Sequence, residues 1–265
     1  MKIHLPDYHI HTTLCNHAYG EMEEYVERAI SIGLEEIGFS EHMPVMPEPH
    51  LCISYDNLPF YIDRVKKLRD RYSGKINIKL GAEMDMELNR TEEIETIIET
   101  SEFDYVIGSI HYLDNWPFDQ VQYKHKFEEE NLDDIYGRFF ETIIRAARSG
   151  LYDIAGHIDN LKRMGYHPEG DMSEQYNCVA GVLKEMDVAF EINTSGYDYP
   201  AREAYPSTEF IKILNSHDVP VTIGSDSHRP EHIGRHFDKA ASVLKEAGYD
   251  RVAYFEGRKR ILKSF

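Results

Sequence analysis

Cysteine is scarce in this chain of 265 residues. Its three cysteines, Cys15, Cys52 and Cys178, are too few and too scattered for a disulfide framework or a cysteine-rich zinc site, which argues for a reduced, intracellular setting. Long apolar runs are missing too. No unbroken stretch is long enough to cross a bilayer, and no apolar leader precedes the first polar motif, so the expected location is cytoplasmic, with no membrane partner. Positive charge is short: 29 Lys and Arg stand against 47 Asp and Glu, a formal net charge of -18. Such a surface repels phosphate backbones and counts against nucleic acid as a partner. A small anionic substrate stays possible, because bound divalent cations reverse the sign inside a pocket. The length suits an α/β barrel with one core, so a single catalytic domain over residues 1–265 is expected. The sequence says nothing about oligomeric state.

What is present is a recurrence of metal-ligand types. The chain opens with Asp7-Tyr8-His9-Ile10-His11 and carries Ser225-Asp226-Ser227-His228 near its far end. Residues two apart on a strand share a face, so each run could serve one metal centre. If the two ends meet in space they wall a single site, which points to a metal-dependent hydrolase.

Between those ends, short β-like runs alternate with amphipathic helical segments. Strands are predicted over 8–11, 36–40, 76–83, 105–111, 153–157, 188–193, 219–225 and 252–255. Helices are predicted over 20–32, 57–72, 91–100, 132–149, 172–186, 206–215 and 233–247, and the basic end at 258–263 reads as a solvated helix terminus. Sustained alternation argues for right-handed βαβ units and a parallel sheet. His9 and His11, Glu41 and His42, Glu83, His111, His157, Glu191 and Asn193, and Asp226 and His228 all fall at or just past the C-terminal end of a strand. In barrels that end is the catalytic face. An α/β barrel of six to eight strands is therefore the expected fold, with a doubly wound open sheet as the alternative. The loops over 43–56 and 112–131 are long enough to fold over the rim, carrying His50 and His125.

The set Asp7-x-His9-x-His11, His17, Glu41-His42, Gly81-x-Glu83, Ser109-x-His111, Gly156-His157, Glu191-x-Asn193 and Gly224-Ser225-Asp226-Ser227-His228 resembles the polymerase and histidinol phosphatase (PHP) superfamily, end to end and in order. Within it, the chain looks like the monofunctional histidinol-phosphate phosphatases. The resemblance implies a distorted (β/α)7 barrel with its active site at the C-terminal rim, holding three divalent metal ions. His9, His11, Glu83 and Asp226 would hold one ion, Glu83, His111 and His157 a second, and His17, His42 and His228 a third. Arg163 and the Arg202-x-x-Tyr205-Pro206-Ser207 segment look like phosphate-binding parts of those enzymes, with Arg229 as a further candidate.

Imidazole and carboxylate ligands suit Zn, Mn or Fe without a thiolate preference for zinc. A hydroxide shared by two such ions would attack phosphorus in line, while the ions and arginines offset charge on the phosphoryl oxygens. Asp226 or His42 would protonate the leaving alkoxide. Asp7, on the same strand face as His9 and His11, is expected to orient a ligand imidazole. The expected reaction is hydrolysis of L-histidinol phosphate, a small-molecule phosphate ester of histidine biosynthesis. Alternatives are another phosphomonoester, a nucleotide phosphodiester, or a non-catalytic domain bound to a polymerase. A metal-dependent amidohydrolase shares the His-x-His opening, but no Lys is placed at a strand end to bridge its metals.

Overall fold

The computed structural model describes residues 4–86 and 88–265. Six parallel strands follow one another in space in chain order: β1 (Glu36–His42), β2 (Asn77–Asp85), β3 (Tyr105–Ser109), β4 (Ile154–Ala155), β5 (Ala189–Asn193) and β6 (Val221–Gly224). The two outer strands do not end in open edges. The segment 7–11 pairs with β1 through Asp7 N to Glu36 O (3.2 Å), Gly38 N to Asp7 O (2.8 Å) and Ser40 N to Ile10 O (2.8 Å). It pairs with the other outer strand through Tyr8 N to Ile223 O (3.1 Å), Ser227 N to His9 O (2.9 Å) and His11 N to Ser227 O (2.9 Å). This seventh stave closes the sheet into a distorted barrel and consumes the edge groups that would otherwise template aggregation.

Period-two alternation decides which side chains enter the barrel. On β2, Ile78, Leu80, Ala82 and Met84 join the main core under the helices, so Gly81, Glu83 and Asp85 face inward. Phe190 and Ile192 likewise leave Glu191 and Asn193 inside, and Ile10 leaves His9 and His11 inside. The interior has two layers. Tyr8, Tyr105, Ile107, Ile154, Ala189, Ala253 and Phe255 form an apolar plug, and the His and Glu side chains sit above it toward the strand C-termini. Gly81 makes room for Tyr105, whose ring would collide with any Cβ there.

Outside the barrel lie α1 (Met22–Ile32), α2 (Leu58–Arg71), α3 (Thr91–Ser101), α4 (Leu132–Arg148), α5 (Ser173–Glu185), α6 (Thr208–Ser216) and α7 (Phe237–Ala247). They start and stop for local reasons. The Asn131 carboxamide caps α4 by accepting from Asp133 N (2.9 Å) and Asp134 N (3.2 Å). The last helix begins four residues later than its periodicity predicts, because Gly234 and His236 take positive φ after the turn Pro230–His232. Among the described residues no helix is long and apolar enough to cross a membrane.

One element differs from expectation. The basic C-terminus is a strand, not a helix end: β7 (Arg251–Glu256) and β8 (Lys259–Ser264) form an antiparallel hairpin. Its β7 strand drives Ala253 and Phe255 into the apolar plug, with Phe255 N donating to the Tyr8 hydroxyl (3.1 Å) and Thr222 Oγ1 to Ala253 O (3.0 Å). Arg258 at the turn locks the hairpin down, donating to Asp153 Oδ2 (2.9 Å) and Leu151 O (2.7 Å).

Candidate metal centre

Glu83, at the upper end of β2, is the hub of the polar layer. Five imidazoles surround its carboxylate: His42 Nδ1 at 2.8 Å, His9 Nε2 and His157 Nε2 at 3.1 Å, His11 Nε2 at 3.5 Å and His111 Nε2 at 3.7 Å. Asp226 adds a second carboxylate, 3.5 Å from His11 Nε2 and 3.4 Å from His228 Nδ1. The two chain ends thus meet, as the paired motifs require. His228 faces His17 with both Nε2 atoms 3.0 Å apart, while His17 Nδ1 donates to Cys15 O (2.8 Å).

The backbone is bent to make this convergence. Of the residues lining the cavity above the cluster, His157 and Asp226 hold positive φ, +28° and +52°, each just past a strand end. Such conformations cost roughly 1–3 kcal/mol and persist where the surroundings impose them. Gly224 is required at the same level, since a Cβ there would run into Glu191 and His9.

Electrostatics within the cluster are divided. Burial opposes a charged His11, yet Asp226, Glu41 and Glu83 carry it up to about 9. His111 is carried up to about 10, against burial, by Asp85 and Glu83. His42 goes the other way, pushed down to about 4 by burial and neighbouring His11. Burial and His11 also hold His228 well below the usual range. Glu83 stays ionised: burial favours the neutral acid, but His9, His42, His111 and the bond from His157 overcome it.

The donor set fits divalent cations. His9 Nε2, His11 Nε2 and Glu83 Oε2 are buried and make no hydrogen bond of good geometry, although His9 Nε2 and His42 Nδ1 lie 3.1 and 2.8 Å from the Glu83 oxygens; such crowding of lone pairs is costly unless an ion takes them. Donors gather within 4.8 Å of one another in overlapping sets: His9, His11 and Asp226; His9, Glu83 and His157; His42, Glu83 and His111; His11, His42 and His228; and Cys15, His17 and His228. A cation there would displace the protons that His11 and His111 otherwise hold.

Three carboxylates orient the imidazoles from behind. His9 donates from Nδ1 to Glu191 Oε1 (2.7 Å), His11 Nδ1 faces Glu41 Oε1 (3.4 Å), and His111 Nδ1 faces both oxygens of Asp85 (3.3 Å). A hydrogen bond at Nδ1 fixes the tautomer that leaves Nε2 free as a ligand. Replacing Glu191 by Gln is therefore expected to lower metal affinity and turnover about 10- to 100-fold with the fold intact. Metal-binding titration beside phosphate-release rates checks this, and an unchanged affinity would remove Glu191 from the role.

Over the cluster opens a cavity of about 660 Å³. The loops over 43–56 and 112–131 contribute walls, including Met46, Glu48, His50, Asp119 and Gln120, and no lysine among the described residues lines it. Arg163, in the turn Asn160–Met164 after β4, stacks its guanidinium 3.9 Å from the Tyr199 ring centroid and turns Nη1 to Asp119 Oδ2 (3.4 Å).

A PHP domain model matches residues 7–195 of the chain. The chain belongs to the PHP domain family. It is 33% identical to a probable histidinol-phosphatase of Deinococcus radiodurans, over 96% of this chain and 98% of that protein. It is 30% identical to a histidinol-phosphatase of Lactococcus lactis, over 96% and 95%. A crystal structure of histidinol phosphate phosphatase from Lactococcus lactis, complexed with zinc, L-histidinol and phosphate, superposes with a TM-score of 0.81 at 26% identity, covering 97% of this chain and 98% of that one.

In this PHP domain, the structure brings His9, His11, His17, His42, Glu83, His111, His157, Asp226 and His228 into one cluster, with Arg163 and Arg229 in the cavity wall. Other expected roles fall elsewhere. Asp7 orients no imidazole: its carboxylate accepts from Ser225 N (2.8 Å), Ser225 Oγ (2.5 Å) and Gly234 N (3.0 Å), fixing the β6 end. Arg202 is exposed, with positive φ, and does not line the cavity. Ser207 caps α6, its Oγ accepting from Phe210 N (3.3 Å) and its N–H donating to Asp159 (2.8 Å), and it faces a separate pocket. His50 lines the cavity, whereas His125 is exposed opposite Glu129. The sequence reading missed Asp85, although its position two residues beyond Glu83 on one strand face marks it. It also missed Cys15 beside His17; that buried thiol donates to Thr12 O (3.1 Å), and burial raises its pKa, so it is not a thiolate.

Proposed function

We propose that this PHP domain, residues 1–265 acting as one cytoplasmic catalytic unit, hydrolyses L-histidinol phosphate to L-histidinol and phosphate in histidine biosynthesis. The observation that carries the reading is the convergence of buried imidazole and carboxylate donors beneath a cavity with a stacked arginine in its wall. The names of the Deinococcus and Lactococcus relatives, and the zinc, L-histidinol and phosphate of the Lactococcus crystal structure, support it. In this reading His9, His11, Glu83 and Asp226 hold one divalent ion, Glu83, His111 and His157 a second, and His17, His42 and His228 a third, the metals being Zn, Mn or Fe. Such ions offset charge on phosphoryl oxygens and lower the pKa of bound water.

The reaction adds a water oxygen to phosphorus and breaks the bond between phosphorus and the alcohol oxygen. Arg163 and Arg229 supply guanidinium donors to the phosphoryl group. Asp226 and His42 both rest deprotonated: burial raises Asp226, but His9, His11 and His228 hold it down, and His42 is pushed down to about 4 by burial and His11. Asp226, whose second carboxylate oxygen stays free when the first holds an ion, therefore takes the proton of the attacking water first and returns it to the departing alkoxide, whereas a metal-bound neutral His42 has no lone pair left to accept it.

Phosphate release measured as kcat/KM over a panel of histidinol, sugar, nucleotide and amino-acid phosphates tests the assignment. A clear preference for L-histidinol phosphate is the expected result. Preference for another phosphomonoester or a phosphodiester keeps the chemistry and changes the substrate. Metal-replete protein with no turnover on any of them overturns the reading in favour of a binding domain.

A further inference from the structure

Two carboxylates of the cavity wall lie outside the metal-donor sets, Asp119 and Glu48. Asp119 already faces a cation, Arg163 Nη1 at 3.4 Å. Glu48 does not. Its Oε2 accepts from the Gln120 side-chain amide at 2.9 Å, and the Tyr112 phenol lies alongside. Both neighbours are neutral, and no cationic side chain among the described residues forms an ion pair with Glu48.

The placement is preorganised. Glu48 lies between Pro47 and Pro49, whose fixed φ limits the local backbone, and it holds an extended conformation ahead of the turn Pro49–Leu51. Since Asp119 and Gln120 are adjacent, Arg163, Asp119, Gln120 and Glu48 make one continuous line of contacts along the wall. A guanidinium stands at one end and an uncompensated carboxylate at the other. A partly buried charge paired only with neutral donors is an electrostatic vacancy for a cation.

We infer that Glu48 recognises the protonated nitrogen of the leaving alcohol, and so separates nitrogen-bearing phosphomonoesters from those of neutral alcohols. The inference rests on the phosphatase reading above. It assigns the two poles of a zwitterionic substrate to the two ends of that wall: phosphoryl to Arg163 and the ions that the metal donors would hold, protonated nitrogen to Glu48. The guanidinium and the carboxylate thereby fix the direction in which the substrate enters.

The test compares kcat and KM for L-histidinol phosphate and for p-nitrophenyl phosphate, which carries no protonated nitrogen, in the metal-replete protein and in Glu48→Gln. The ratio of the two kcat/KM values is expected to fall about 10- to 100-fold in the variant, the size of one charge-assisted hydrogen bond, with the loss in KM for L-histidinol phosphate. A second variant, Glu48→Lys, is expected to shift preference toward 3-phosphoglycerate, whose alcohol carries a carboxylate, which loss of folding cannot mimic. A wild-type preference for L-histidinol phosphate that survives both substitutions overturns the role of Glu48 and leaves the phosphatase reading standing. A wild type that hydrolyses phosphomonoesters without regard to a protonated nitrogen overturns both.

Discussion

Replacing Glu83 by Gln is expected to lower phosphate release by roughly a thousandfold or more, together with the metal content of the protein. The substitution keeps volume and one acceptor oxygen but removes the negative charge on which five imidazoles converge. The carboxylate is almost fully buried, so no solvent compensates for the loss. An amide would also turn hydrogens toward imidazole nitrogens that the metal reading requires as lone-pair donors. Metal analysis and a turnover assay on the same preparation check the expectation, with circular dichroism to confirm the fold. Wild-type metal content and rate in this variant would remove Glu83 from the centre of the account.

Arg163→Ala carries the second large effect, a loss of about 100- to 1,000-fold in kcat/KM, equivalent to two charge-assisted hydrogen bonds to a phosphoryl group. The guanidinium is held by Tyr199 and Asp119, and its Nε is buried without a partner, so the side chain is positioned with donor capacity to spare. Burial disfavours its charge, but Asp119 and neighbouring groups outweigh that. Lysine at this position restores only part of the loss, because a point charge does not reproduce the planar fork. Steady-state kinetics on the Ala and Lys variants decide the matter, and a change within twofold in both would show that phosphate is bound by other groups.

Much of this architecture is legible in the sequence because two periodicities do different work. Alternation on β2 separates Leu80, Ala82 and Met84 from Glu83, so a ligand at a strand end announces which way it faces. The same rule misleads at Asp7, where the alternation breaks: Asp7 turns to Ser225 and Gly234 while adjacent Tyr8 packs against Tyr105. The C-terminal hairpin is hidden because β8 is mostly exposed and basic, and its partner strand is the only part with an apolar face. Glu48 and Asp119 could not be chosen from 47 acidic residues until two loops were seen to meet through Gln120. Arg202 and Ser207 follow from a resemblance of local sequence, and the chain path carries them away from the cavity.

The most direct test of the central claim is to strip the protein with a chelator, then return Zn, Mn or Fe in measured steps while following bound metal and hydrolysis of L-histidinol phosphate together. Negligible turnover is expected in the stripped protein, with recovery that climbs with occupancy to a plateau near three ions per chain, consistent with shared ligands around Glu83. Full turnover from protein holding far less than one ion per chain would contradict it.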